Sequence, residues 1–214
     1  MSPNERGSRA TWSRCLYFAI AWIFASGFCI LFVDRAASSW SYAHLHRKAV
    51  FVGLTHIIDP FQTAAALGIA IIGIRAIASP WRPSGCWLTA MQASLTVIVS
   101  VAIKDQLKFL FGRTWPETWV DHNPSWITNH SYGFSFFHGG AGWGSFPSGH
   151  TTETWAFVAV FWVRAPRLRL LWAALALLVP IGLFGADFHF VGDMVAGAFL
   201  GIATAAGVLA LTRE

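Results

Sequence analysis

The stretch Pro147-Ser148-Gly149-His150, with the apolar run from Trp155 to Val163 close behind it, decides how this chain is read. A Pro-Ser-Gly turn that opens a helix leaves the first backbone N–H groups unpaired and aimed at one spot, where an anion binds. Here that spot lies at the mouth of a segment built for lipid. A second apolar segment, ending near Leu211, begins in a related way, with His189 followed four residues later by Asp193. A His and an Asp at i and i+4 share one helix face, so the pair supplies an oriented base or nucleophile. With the cationic Lys108 and Arg113 upstream, the pattern reads as phosphate chemistry at a membrane surface.

Composition supports lipid as the solvent. Of 214 residues, 55% are hydrophobic and 12% charged, and mean hydropathy is +0.52. Soluble domains carry roughly a quarter charged residues. The three cysteines, Cys15, Cys29 and Cys86, lie in or beside apolar runs, which argues against a disulfide framework. The net charge of +5 does not point to nucleic acid, because the basic residues flank apolar segments, as membrane topology requires.

The expected fold is therefore an all-α, polytopic membrane protein with six transmembrane helices, at about 15–33, 59–78, 86–111, 150–163, 168–186 and 189–211. The first apolar run exceeds a signal-peptide core and reads as an uncleaved anchor. Residues 49–58 form a shorter apolar stretch, expected as an interfacial helix, and Asp59-Pro60 reads as an N-cap with Pro at the first helical position. With no repeat and no low-complexity linker, 1–214 is expected to be one domain, with a cytoplasmic tail at 1–14 and a long outer loop at 113–149.

Orientation follows from the Lys and Arg side chains. Arg6, Arg9, Arg14, Arg75, Arg82, Arg164, Arg167, Arg169 and Arg213 fall on one side, against Arg35, Arg47, Lys48, Lys104, Lys108 and Arg113 on the other. The excess puts both termini in the cytoplasm. Lys108, Arg113, His150, His189 and Asp193 then converge at the outer face, although they are far apart in sequence.

These residues resemble the type 2 phosphatidic acid phosphatase superfamily of integral membrane phosphatases over about 104–197 and in the six-span layout. That family's first motif is Lys, six residues, then Arg-Pro; Lys108 and Pro116 match it, while Trp115 stands where the Arg belongs. Its second motif is matched by Pro147-Ser148-Gly149-His150. Its third, Ser-Arg, five residues, His, three residues, Asp, is matched by His189 and Asp193, with Gly182 and Leu183 in the Ser-Arg positions. The resemblance implies a lipid phosphate substrate and a catalytic triad of His150, His189 and Asp193. Two phosphate-binding arginines are missing from their usual places.

The chemistry can be argued from the residues as well. A phosphate monoester dianion repels nucleophiles, so a site must neutralise its oxygens and assist both attack and departure. Lys108 and Arg113 supply charge, Lys104 one helical turn before Lys108 adds a second ammonium, and Ser148 with the N–H groups of Gly149 and His150 holds the remaining oxygens. His189 attacks phosphorus, Asp193 fixes its tautomer, and His150 protonates the leaving oxygen and then activates water. The scheme needs no metal and no cofactor. The expected setting is the bacterial inner membrane with the site facing the periplasm. The partners are the lipid phosphate and the bilayer, with no nucleic acid. A lipid phosphotransferase using the same triad, with an acceptor alcohol in place of water, stays open, as does a transport role on a retained fold.

Other residues have plainer readings. Trp119, Trp126, Trp143, Tyr132, Phe134, Phe136 and Phe137 either line a lipid headgroup cleft or form an interfacial aromatic belt, and the belt is the plainer reading for most of them. Trp115 is set apart by its motif position. His122, His130 and His138 recur at a spacing of eight, which fits no compact zinc pattern. Gly197 and Gly201 suit a close helix-packing face. Asp187 either acts on His189 or caps the last helix.

Overall fold

The computed structural model describes residues 3–46, 48–120 and 122–212, with backbone only at 3–12 and 14. The side chains of Arg6, Arg9 and Arg14, together with Arg47 and Arg213, lie outside the described residues. The first helix, α1 (Pro3–Phe28), passes through a π-helical turn (Cys29–Val33) into α2 (Asp34–His44) without a break. A short helix α3 (Ala49–Thr55) leads through a 3₁₀ turn (His56–Ile58) into α4 (Asp59–Ala78), with Pro60 in its first turn. Next come α5 (Gly85–Phe111) and the single-turn α6 (Trp126–Asn129). The chain closes with α7 (Gly149–Arg164), α8 (Arg169–Gly185) and α9 (Val191–Leu211). Among the described residues, β pairing is confined to isolated bridges such as Arg113 with Phe134.

The protein is an all-helical integral membrane protein. Five segments, Cys15–His44, Ala49–Ala78, Gly85–Phe111, Pro166–Gly185 and Val191–Leu211, are long and apolar enough to cross a bilayer. The sixth expected span, α7, has 16 residues, about 24 Å at 1.5 Å per residue against a hydrocarbon core of about 30 Å. It packs against α5, α8 and α9 at the centre of the bundle. Its Thr151, Thr152, Glu153 and Thr154 are buried there. A central helix enclosed by others need not be apolar all round.

One boundary differs from expectation. The first helix continues past residue 33 to His44, because the buried residues of α2 (Asp34, Ser38 and Ser41) find polar partners in the rest of the protein. The stretch at 49–58 forms α3 and the 3₁₀ turn after it, continues into α4 as one apolar segment and packs on α8. Gly182 and Gly185 permit this: a Cβ at 182 would stand 2.7 Å from Leu54 Cβ, and one at 185 would stand 2.3 Å from the Phe51 ring.

Small residues also set the α7–α9 contact. A Cβ on Gly197 would meet the Ser148 carbonyl at 2.6 Å, and one on Gly201 the Thr152 carbonyl at 2.5 Å. The packing-face reading of this pair holds. With the backbones so close, the Ser148 N–H donates to the Asp193 carbonyl at 3.0 Å, joining the second motif to the third. At the opposite end of the bundle Arg164 donates to Gln92 (2.7 Å), which donates to Thr212 (2.9 Å), tying α5, α7 and α9 together there.

Candidate active site

The end of α5, the starts of α4 and α7 and the connection between α8 and α9 surround a cavity of about 790 Å³, partly roofed by the 113–149 loop. His150, His189, Lys104, Lys108 and Gly149 all line it. Of the five residues that topology brings together, Lys108, His150 and His189 line the cavity, while Arg113 and Asp193 stand behind its wall. α5 stops at Gly112, whose φ of 55° is left-handed, and a Cβ there would sit 2.0 Å from the Ser135 carbonyl. Only glycine lets the chain turn back so tightly across the mouth of the cavity.

His189 is buried, with its Nδ1 3.4 Å from Asp193 Oδ2. Nε2 is thereby the nitrogen left for chemistry. Burial lowers the pKa of His189, and although Asp193 opposes that effect, the ring is held neutral in its resting state. Asp193 is wholly enclosed. Its Oδ2 also accepts from Ser145 Oγ at 2.5 Å and from the Phe190 N–H at 3.1 Å, and its Oδ1 accepts from Arg113 at 2.5 Å. His150 is more open, its side chain 42% exposed, with Nε2 3.7 Å from Asp59 Oδ1.

Not every expected phosphate ligand faces the cavity. Arg113 is fully buried on the far side of Asp193, away from the cavity wall. Its guanidinium donates to Asp193, to Asp34 Oδ2 at 2.6 Å and to Tyr132 Oη at 2.7 Å, inside a cage of Tyr132, Phe134, Phe146 and Phe190. The expectation that Arg113 supplies charge directly to the phosphate is corrected: two carboxylates hold it elsewhere. Together they raise its pKa in spite of burial. Ser148 is also buried and serves as the N-cap of α7, its Oγ accepting from Thr151. The helix N-terminus offers Gly149 to the cavity instead.

The positions of the two missing arginines are filled by apolar groups. Trp115 packs on His189 with ring centroids 4.9 Å apart, and its Nε1 donates to the Ala141 carbonyl. Lys108 Nζ sits 5.5 Å from the centre of the same indole. Leu183 is fully buried with Ile58, Val179 and Met194. Lys104 is paired with Asp105 at 3.0 Å and Glu153 at 3.7 Å. Gln62 donates to the same Glu153 at 2.7 Å. Asp187 does not face His189. It takes a left-handed φ of 55° and accepts from Ser38 on α2. No cluster of His, Cys, Asp and Glu suited to a metal is found among the described residues. Asp34, Tyr132 and Ser145 escaped the sequence reading, since a lone Asp near a span and an aromatic loop carry no motif.

The chain belongs to the PAP2 superfamily, whose family model matches residues 89–214. It is similar to the lipid A 1-phosphatases of Rhizobium etli and Rhizobium johnstonii. Identity is 32% and 31% over 106 residues, covering 50% of this chain and 43% and 41% of those proteins. The chain thus matches somewhat under half the length of these relatives. Among solved structures, a transmembrane PAP2-type phosphatidylglycerolphosphate phosphatase from Bacillus subtilis has the same fold. Its TM-score is 0.56 at 22% identity, over 93% of this chain and 94% of that one.

Proposed function

We propose that the protein hydrolyses a lipid phosphate monoester or diphosphate at the outer face of the membrane, without a metal, through a phosphohistidine. One observation carries this reading: His189, oriented at Nδ1 by Asp193, and His150 open onto one cavity that also holds the Lys108 ammonium. His189 Nε2 attacks phosphorus and the bond to the lipid oxygen breaks, with His150 donating a proton to that oxygen. The imidazolium formed is stabilised by Asp193. His150, now neutral, takes a proton from water as that water attacks phosphorus, which frees His189 and inorganic phosphate. Lys108, the paired Lys104 and the N-terminal N–H groups of α7 at Gly149 and His150 take the phosphoryl oxygens. Lipid relatives in name and fold support a lipid substrate, and the cavity's position at the end of the bundle suits headgroup depth.

One observation favours a second reading. With Trp115 and Leu183 in place of arginines and Lys104 paired to two carboxylates, Lys108 is the one cavity ammonium without a carboxylate partner among the described residues. A phosphodiester carries one charge at phosphorus and suits that balance, as in transfer of a headgroup phosphate to an acceptor alcohol. The experiment is product analysis in detergent with EDTA, using phosphatidate, phosphatidylglycerol phosphate, polyprenyl diphosphate and lipid A, with and without alcohol acceptors. Inorganic phosphate release with an acid-labile phosphoenzyme supports hydrolysis. Alcohol-dependent formation of a new diester moves the assignment to the transferase, and a metal requirement overturns the scheme.

A further inference from the structure

We propose that the helix α2, which lies outside the stretch that matches the PAP2 family, is a positioning element of the reaction, and that Asp34 acts through Arg113 on the His189–Asp193 pair. The buried residues of α2 are Asp34, Ser38 and Ser41, a single stripe at i, i+4 and i+7. Every one of them is polar, and between them the three bond to the last turn of α8, to the connection that carries His189 and to the first turn of α9. Ser41 Oγ donates to the Phe184 carbonyl at 2.5 Å, Ser38 Oγ to Asp187 at 3.2 Å, and Asp34 Oδ1 accepts from the Gly192 N–H at 2.7 Å. A Cβ at Gly192 would lie 2.9 Å from Asp34 Oδ2, so the absence of a side chain there admits the carboxylate. A helix that only anchored the chain would bury apolar residues on this face.

Asp34 makes one further contact that reaches the chemistry. Its Oδ2 accepts from Arg113 NH2, while NH1 of the same guanidinium donates to Asp193 Oδ1. Tyr132 Oη accepts from Arg113 and donates to the Ile30 carbonyl, inside the π-helical turn that precedes α2. All three charges are buried. Two carboxylates and one guanidinium leave a single net negative charge behind His189, the charge a lone Asp193 would supply, with the carboxylate now clamped from behind. Partners behind a first set of functional groups fix their orientation, and losing one typically costs about 10–100-fold in activity. The titratable and charged groups that bear on His189 are Asp193, Lys108 and Arg113, with His150 across the same cavity and Asp34 acting through Arg113.

The inference rests on His189 being the nucleophile, and it has a signed electrostatic consequence. Asp34→Asn leaves the set neutral, so the imidazolium of the phosphoenzyme loses support. We expect kcat to fall about tenfold with KM within about twofold, since Asp34 does not line the cavity. The acid limb of kcat/KM should move to lower pH. Arg113→Gln leaves two unneutralised carboxylates and should move that limb to higher pH, and the double variant should return it toward wild type. A purely structural role would not displace the limb in opposite directions. Where Arg113→Gln or Asp34→Asn fails to give folded protein in detergent, Tyr132→Phe decides the matter. It removes the hydroxyl between Arg113 and Ile30 and should lower kcat severalfold at unchanged KM. Unchanged kcat and pH profile in folded Asp34→Asn, or in Tyr132→Phe when that variant must decide, overturns the inference. Absence of a phosphoenzyme in the wild-type protein instead overturns the reading it rests on.

Discussion

The indole of Trp115 packs against the imidazole of His189, centroids 4.9 Å apart and planes tilted by 48°. An aromatic wall thus stands beside the nucleophile where the family's motif has a guanidinium. Restoring the cation with Trp115→Arg should favour substrates that carry more charge. We expect kcat/KM for a phosphate monoester to rise about tenfold relative to a phosphodiester, the scale of one charge-assisted hydrogen bond of about 1.5 kcal/mol. The check is the ratio of the two in one detergent. An unchanged ratio means that the indole is not what sets charge preference.

The Ser position of the third motif, at Gly182, cannot be refilled in the same way. Gly182 lies against α3 so closely that a Cβ would meet the Phe51 carbonyl oxygen at 2.8 Å and the Thr55 nitrogen at 3.0 Å, and backbone does not yield cheaply. Gly182→Ser should lower stability by about 1–3 kcal/mol, the usual cost of overpacking. Thermal unfolding in detergent measures it. Leu183 touches Ile58, Val179 and Met194 but also lines the cavity, so Leu183→Arg has an exit for its guanidinium and should cost less than the roughly 3–5 kcal/mol of an unpaired buried charge.

The two histidines should fail differently. His189→Ala removes the atom that bonds to phosphorus, so no phosphoenzyme forms and an activated substrate does not help. His150→Ala removes the proton donor, and a substrate with a good leaving group should recover much of the lost rate. Because burial lowers the pKa of His189, the acid limb of wild-type kcat/KM should fall below the ordinary histidine value of about 6.5. Equal rescue of both variants would falsify the division of roles.

How much of this was legible in sequence depends on how each residue signals itself. His150, His189, Asp193 and Lys108 sit at motif spacings, and the alternation of spans brings them to one end of the bundle. Arg113 was visible as a cation near the site, but its direction was not. That direction is set by Asp34, 79 residues away, and by four aromatic rings. The polar stripe on α2 was hidden for a related reason. Asp34, Ser38 and Ser41 look like the hydrophilic end of an anchor until α8 and α9 supply their partners. The extent of the stretch at 49–58 was legible, but its packing partner was not, because glycines 182 and 185, which make room for it, belong to a helix more than a hundred residues later.

Topology has its own test. If both termini are cytoplasmic, the 113–149 loop is outside. In a variant lacking Cys15, Cys29 and Cys86, His130→Cys, whose side chain is exposed in that loop, should label with an impermeant thiol reagent in intact cells. Leu168→Cys, in the turn before α8, should stay protected until the membrane is opened. The reverse pattern puts the active site in the cytoplasm.

Asp187 gives a pH dependence with a definite sign. Burial pushes its carboxyl pKa up to about 7, against the hydrogen bond from Ser38 and with help from the charge of Glu117. In the unfolded chain the same group ionises near pH 3.9. The folded state therefore holds this proton more tightly. The residue's contribution to stability is complete below about pH 4 and is lost progressively as pH rises to about 7, where the buried carboxylate finally ionises. Asp187→Asn keeps the shape, suits the left-handed φ of 55°, and cannot ionise. At pH 4 the variant and the wild type should unfold at similar temperatures, and above pH 7 the variant should be the more stable. Thermal unfolding in one detergent across pH 4–9 measures the difference. A gap that stays constant over that range would show that Asp187 keeps its ordinary acidity and that its bond to Ser38 is made by a carboxylate throughout.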